Sequence, residues 1–144
     1  MNSSDIRDLC YYGCFKKLRE LYFEGKLKKE DVFSPDDIYN GFSWAYERGH
    51  LNICIFLILK LNITKDDLFK DDKQFYIKNA FQRNQSRRHN DAYLNYVHFL
   101  IEYLNVTENE VQDYLSEVSE ERRKKILECF APLGSSTKPA RNEG

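Results

Sequence analysis

Cys10, Cys14 and His50 are the residues of this sequence that come nearest to a metal-binding set. A structural zinc site needs thiolate and imidazole ligands converging on one point, usually supplied by a CxxC or HxxxH pair. Neither pattern occurs, and Gly13 interrupts the helix that would bring Cys10 and Cys14 onto one face. The cysteines read as reduced thiols and His50 as a turn residue, so no metal is expected. Nucleophilic catalysis has no better footing. There is no G-x-S-x-G, P-loop or HExxH sequence, and His98 falls at a helical position occupied by Ile55 in an internal copy of the same segment, where it reads as a packing or rim residue. The chain is expected to be neither an enzyme nor a cofactor carrier. What chemistry is left is recognition by aromatic rings and guanidinium groups. Much of the aromatic content, ten Tyr and ten Phe, reads as core, with Phe42, Phe56, Phe81 and Phe99 at buried-type positions, but exposed Tyr beside Arg is the usual composition of protein-binding hot spots.

The elements that position these groups are set by a repeat. LNICIFLILKLNITKDDL at Leu51–Leu68 returns as LNYVHFLIEYLNVTENEV at Leu94–Val111, and a fainter copy covers Phe15–Val32, where Leu21, Leu27, Asp31 and Val32 fall on Leu57, Ile63, Asp67 and Leu68. Self-similarity at a period of tens of residues marks a stacked solenoid. The expected fold is all-α, a short solenoid of about three helix pairs over residues 3–33, 34–70 and 71–111, closed by a helical cap at 112–131. The repeat domain is thus 1–131, and 132–144 reads as a disordered tail.

Gly13 ends a first helix over Asp5–Tyr12, and Phe15–Glu24 is a second with one apolar face. Ser34-Pro35-Asp36-Asp37 has the composition of a helix start, leading a helix to Arg48. The Leu51–Leu61 segment is apolar nearly all round, which predicts cover on several sides. Thr64-x-x-Asp67 and Thr107-x-x-Glu110 read as capping boxes. The third pair begins at Lys73–Asn84, and Gln85–Ala92 is an insertion relative to the second pair. Ser119-Glu120-Glu121 opens the last helix, with Ile126, Leu127 and Phe130 buried and Arg122–Lys125 on its charged face.

The segment Phe42–Leu57, FSWAYERGHLNICIFL, resembles a diverged ankyrin repeat, with its first helix, Gly-His turn and second helix. The T-P-L-H start is absent, N-[IV]-T-x-x-[DE] stands where the hairpin signal would be, and the spacings exceed the usual period of about 33. It is similar to the degenerate ankyrin repeats multiplied in large DNA viruses and some protists. That resemblance implies a non-catalytic interaction module or adaptor binding another protein, with a host-interaction role if the source is viral or parasitic.

Recognition in such a fold uses first-helix outer faces and the loops between pairs. The expected partner-binding residues are Arg7, Tyr11, Tyr12, Tyr39, Ser43, Glu47 and Arg48, then Lys78, Gln82 and Arg83, with Arg87 and Arg88 in the insertion. Tyr76 falls on the same face. The alternative is nucleic-acid binding through the basic 83–89 loop, but 22 Lys plus Arg against 23 Asp plus Glu leave no net field to attract a polyanion or an anionic membrane. The start is polar and acidic, and the longest apolar run is too short to span a bilayer. An intracellular, cytoplasmic location is expected, in the host cytoplasm or nucleus for a viral chain.

Overall fold

Two glycines set helix ends before any packing is considered. Gly13, at φ 75°, and Gly49, at φ 91°, occupy the left-handed region that side chains disfavour. At the first, α1 (Ser3–Tyr11) closes with the paired bonds of a Schellman end: Cys14 N–H donates to the Leu9 carbonyl at 2.8 Å and Gly13 N–H to that of Cys10 at 3.3 Å. α2 (Phe15–Phe23) follows at once. At the second, α4 (Gly41–Glu47) closes in the same way, His50 N–H reaching the Ala45 carbonyl at 2.8 Å, and α5 (Leu51–Leu61) follows. The remaining helices are α3 (Lys29–Val32), α6 (Lys65–Phe81), α7 (Tyr93–Leu104), α8 (Glu108–Leu115) and α9 (Glu120–Phe130).

This computed structural model describes residues 3–37, 39–83 and 91–131, without the side chains of 3, 4, 71 and 72. The described residues are helical apart from turns and one isolated bridge between Ser34 and Asp37. None of their helices is long and apolar enough to cross a membrane. The tail 132–144 lies outside the described residues. The chain divides into two compact halves, Met1–Asp72 and Lys73–Gly144. In the first, α1 packs on α4, α3 and α2, and α4 on α5; in the second, α9 packs on α7 and α8.

The repeated N-[IV]-T motif is a connector with each residue assigned. Asn62 and Asn105 stop their helices in the left-handed conformation, at φ 57° and 53°, which Asn tolerates better than other side-chain-bearing residues. Ile63 and Val106 are buried next to them. Thr64 and Thr107 then cap the following helix: Thr107 Oγ1 accepts from Glu110 N–H at 3.3 Å while Thr107 N–H donates to Glu110 Oε1 at 2.9 Å, and Thr64 and Asp67 do the same. The faint copy keeps half the device, since Lys28 has no acceptor but its N–H still donates to Asp31 Oδ2 at 2.9 Å. Leu27 and Val32 are buried there as their counterparts are.

Four expectations need correction. Ser34-Pro35-Asp36-Asp37 forms a tight turn, with Asp37 N–H donating to the Ser34 carbonyl at 3.3 Å. Pro suits the second position of such a turn as well as the first turn of a helix. Here Asn40 decides, its amide donating to the Asp37 carbonyl at 2.7 Å and its Oδ1 accepting from Ser43 N–H at 2.9 Å, so that α4 starts only at Gly41. Second, the helix expected at Lys73–Asn84 is continuous with the turn begun at Thr64; α6 contains no Pro or Gly to divide it. Third, α5 is not covered all round: Ile53, Cys54 and Leu57 are buried, but Leu59 is 66% exposed. Fourth, Arg122 lies inside, on the packed side of α9. Its Nη1 donates to the carbonyls of Phe81 at 2.9 Å and Arg83 at 2.7 Å, and its guanidinium sits 3.9 Å from the centre of the Tyr93 ring. It thereby supplies donors to carbonyls at the end of α6 that the helix itself cannot satisfy.

Candidate interaction site

α1 and α4 lie against each other in the first half, and the rings they carry meet in a row. Tyr12 and Tyr11 are in edge contact at 4.8 Å, Tyr11 and Trp44 at 5.0 Å, and Trp44 and Tyr39 are tilted at 5.7 Å. Tyr12 is 73% and Tyr39 59% exposed. Arg48 lies over the Tyr11 ring at 5.0 Å, and Arg7 donates to the Tyr39 carbonyl at 3.4 Å with Asp37 at 3.9 Å. Edge and cation contacts of this kind each contribute about 0.5–1.5 kcal/mol and hold the rings in place. Trp44 was legible and was missed. It stands one turn before Arg48 on the face assigned to Glu47 and Arg48, but a lone Trp invites assignment to the core.

Five of the expected residues, Arg7, Tyr11, Tyr12, Tyr39 and Arg48, thus come together in one patch, with half-buried Glu47 beside it. Ser43 does not. It is buried, donating its Oγ–H to the Asn40 carbonyl at 3.0 Å. The start of α4 is packed closely on α1 and α3, so that a Cβ on Gly41 would stand 3.0 Å from Cys10 Sγ and 3.4 Å from Val32 Cα. Tyr76 is also buried, its ring edge-on to Phe75.

In the second half the expected residues are occupied within their own unit. Lys78 Nζ lies 3.7 Å from Glu117 Oε1, to which Gln82 also donates at 3.0 Å. Arg83 donates to Asn79 Oδ1 at 2.7 Å and lies over the Tyr96 ring at 4.4 Å. Arg87 and Arg88 lie outside the described residues.

Two places could have held chemistry. His50 Nε2 stands 3.0 Å from the Tyr11 carbonyl, Cys10 is buried and Cys14 exposed. Burial pushes the Cys10 thiol up to about 12, with Cys14 adding to the shift, which is the reverse of what a metal ligand or nucleophile requires. No three His, Cys, Asp or Glu among the described residues are grouped to hold a metal ion. The second place is a groove of about 500 Å³ between α7 and α9, where His98 Nε2 is 3.8 Å from Cys129 Sγ. Burial, with the Glu128 charge, raises that thiol, and its proton is directed to the Lys125 carbonyl at 3.4 Å. The pair lacks the activation a Cys–His nucleophile depends on. No protein-family model matches the sequence, and searches of curated proteins and of solved structures find no significant match.

Proposed function

We propose that this chain is a non-catalytic protein-interaction module built of ankyrin-like helix pairs, a short solenoid whose partner is another protein. The observation that carries the reading is the row of Tyr12, Tyr11, Trp44 and Tyr39 held under Arg48, a preorganised and exposed aromatic and guanidinium surface. Tyr, Trp and Arg are the residues that dominate binding energy in protein interfaces, and fixing them beforehand lowers the entropic cost of association. The internal repeat adds support, because repeat scaffolds present continuous recognition faces. Nucleic-acid binding through 83–89 is the weaker reading, since Arg83 is engaged by Asn79 and Tyr96.

The test is affinity capture from the source cell with the wild-type chain and with Tyr12→Ala and Arg48→Ala, each first shown to fold. The expected result is a protein retained by wild type and lost from both variants. Binding that survives both substitutions, or that falls steeply with log salt as phosphate contacts demand, overturns the reading.

A further inference from the structure

The hydrogen-bonding side of the aromatic row is unspent. The hydroxyls of Tyr11, Tyr12 and Tyr39 and the indole N–H of Trp44 make no hydrogen bond to any described residue, and exposed Arg48 has the Tyr11 ring but no carboxylate. The surface therefore offers ring faces together with donors. Its complement is a chain with apolar bulk and free carbonyls. A polyproline II segment has both: it makes no internal hydrogen bonds, its carbonyls point outward, and its pyrrolidine rings pack on aromatic side chains. An α-helical ligand would have its carbonyls already bonded.

The spacing admits this chemistry. Successive ring centres are 4.8, 5.0 and 5.7 Å apart, so alternate rings lie no more than about 11 Å apart, a reach that accommodates one three-residue turn of polyproline II, ~9 Å. Other aromatic ligands fit less well. A quaternary ammonium would meet Arg48 on the Tyr11 ring and Arg7 at the Tyr39 end. A single-stranded nucleic acid would meet the carboxylates of Asp8, Asp36, Asp37 and Glu47 on the elements that carry the row. Asp8 is exposed, one helical turn before Tyr12, and has no ion-pair partner among the described residues.

We propose that the row from Tyr12 to Tyr39 binds a proline-rich segment in the polyproline II conformation, with a Lys or Arg of that segment facing Asp8. This rests on the interaction reading above and names the partner's chemistry.

Trp44 is the only tryptophan in the chain, so its emission reports occupancy directly. The full chain is titrated with a nonaproline peptide carrying an N-terminal Arg. A saturable change in Trp44 emission is expected, with a Kd below about 1 mM. Tyr12→Ala, at a position 73% exposed and with its fold first verified, weakens it at least about tenfold. In Asp8→Asn the preference for the Arg peptide over the same peptide with Asp disappears. Absence of saturation, an equal response to a Gly-Ser peptide of the same length and charge, or full affinity in Tyr12→Ala overturns the proposal. If a captured partner is lost on Tyr12→Ala while the peptide is silent, the interaction reading stands and this inference falls. If the peptide binds and the captured partner is indifferent to both Tyr12→Ala and Arg48→Ala, the inference stands and the reading falls.

Discussion

His50 Nε2 stands 3.0 Å from the carbonyl oxygen of Tyr11, reaching from the Gly49 turn to the end of α1 across the Gly13 turn. The Tyr11 carbonyl is among the last of its helix and has no partner within it, so the ring nitrogen facing it carries the proton. The contact needs Gly13 to be bare: a Cβ there would lie 2.6 Å from His50 Cε1.

Gly13→Ala is expected to cost more stability than Gly25→Ala. Both positions have φ of 75°, so both incur the left-handed penalty of about 1–2 kcal/mol, but nothing lies within 4 Å of a Cβ at Gly25. In a His50→Ala background the difference between the two should shrink by about 0.5–1.5 kcal/mol, the contribution of the lost bond and contact. Chemical denaturation of the set measures it, and equal costs for the two glycines would show that His50 does not constrain the turn.

Leu57 and Leu100, equivalent in two copies of the repeat, are both buried, at 0% and 1% exposure. Leu57→Ala and Leu100→Ala should each cost about 2–5 kcal/mol through lost packing and a cavity. Leu59→Ala, two residues along the same helix as Leu57, should stay within about 0.5 kcal/mol. An unchanged denaturation midpoint in Leu57→Ala would refute its place in the core.

Arg122→Ala removes two charged hydrogen bonds to the end of α6 and the contact over Tyr93. A loss of about 2–4 kcal/mol is expected, with faster amide exchange near the end of α6. Lys124→Ala, at an exposed position, should be near neutral. Arg122→Lys should recover only part, because an ammonium does not reproduce the planar guanidinium lying over the Tyr93 ring.

Asp67 carries a pH dependence. Partial burial pushes its carboxyl up, but the bond from Lys29 Nζ at 2.8 Å and those from Thr64 outweigh it and hold the carboxyl below its ordinary value. A folded value lower than the unfolded one gives stability that is fully present above the unfolded value and is lost as pH falls through the folded one. Lys29→Ala should move the Asp67 titration upward in a carboxyl-detected NMR experiment, and Asp67→Asn should flatten the acid limb of stability. The pair is partly exposed, so the effect on stability is expected to stay below about 1 kcal/mol.

The sequence by itself determined those helix ends that are local, while the start of α4 and the unbroken length of α6 escaped it. Gly13 and Gly49 end helices through backbone sterics alone, and the Thr-x-x-acid boxes close within one turn. The burial of Leu57, Leu100, Phe42, Phe81 and Phe99 followed from period and apolar type, although Phe56, expected inside on the same ground, is only half-buried. Only the tertiary structure decided which polar residues face inward. Ser43 lies one residue from Trp44, and periodicity alone placed the serine outside and overlooked the indole; the close approach of α4 to α1 and α3 reversed that. Arg122 belongs to a charged run that looks solvated, and what draws it inside is a pair of carbonyls some forty residues earlier in the chain, a distance over which no local pattern carries information. The aromatic row has the same origin. Its tyrosines could be listed from the sequence, but only the packing of α1 on α4 brings rings from Tyr11 and Trp44 to within 5.0 Å and lays Arg48 across them.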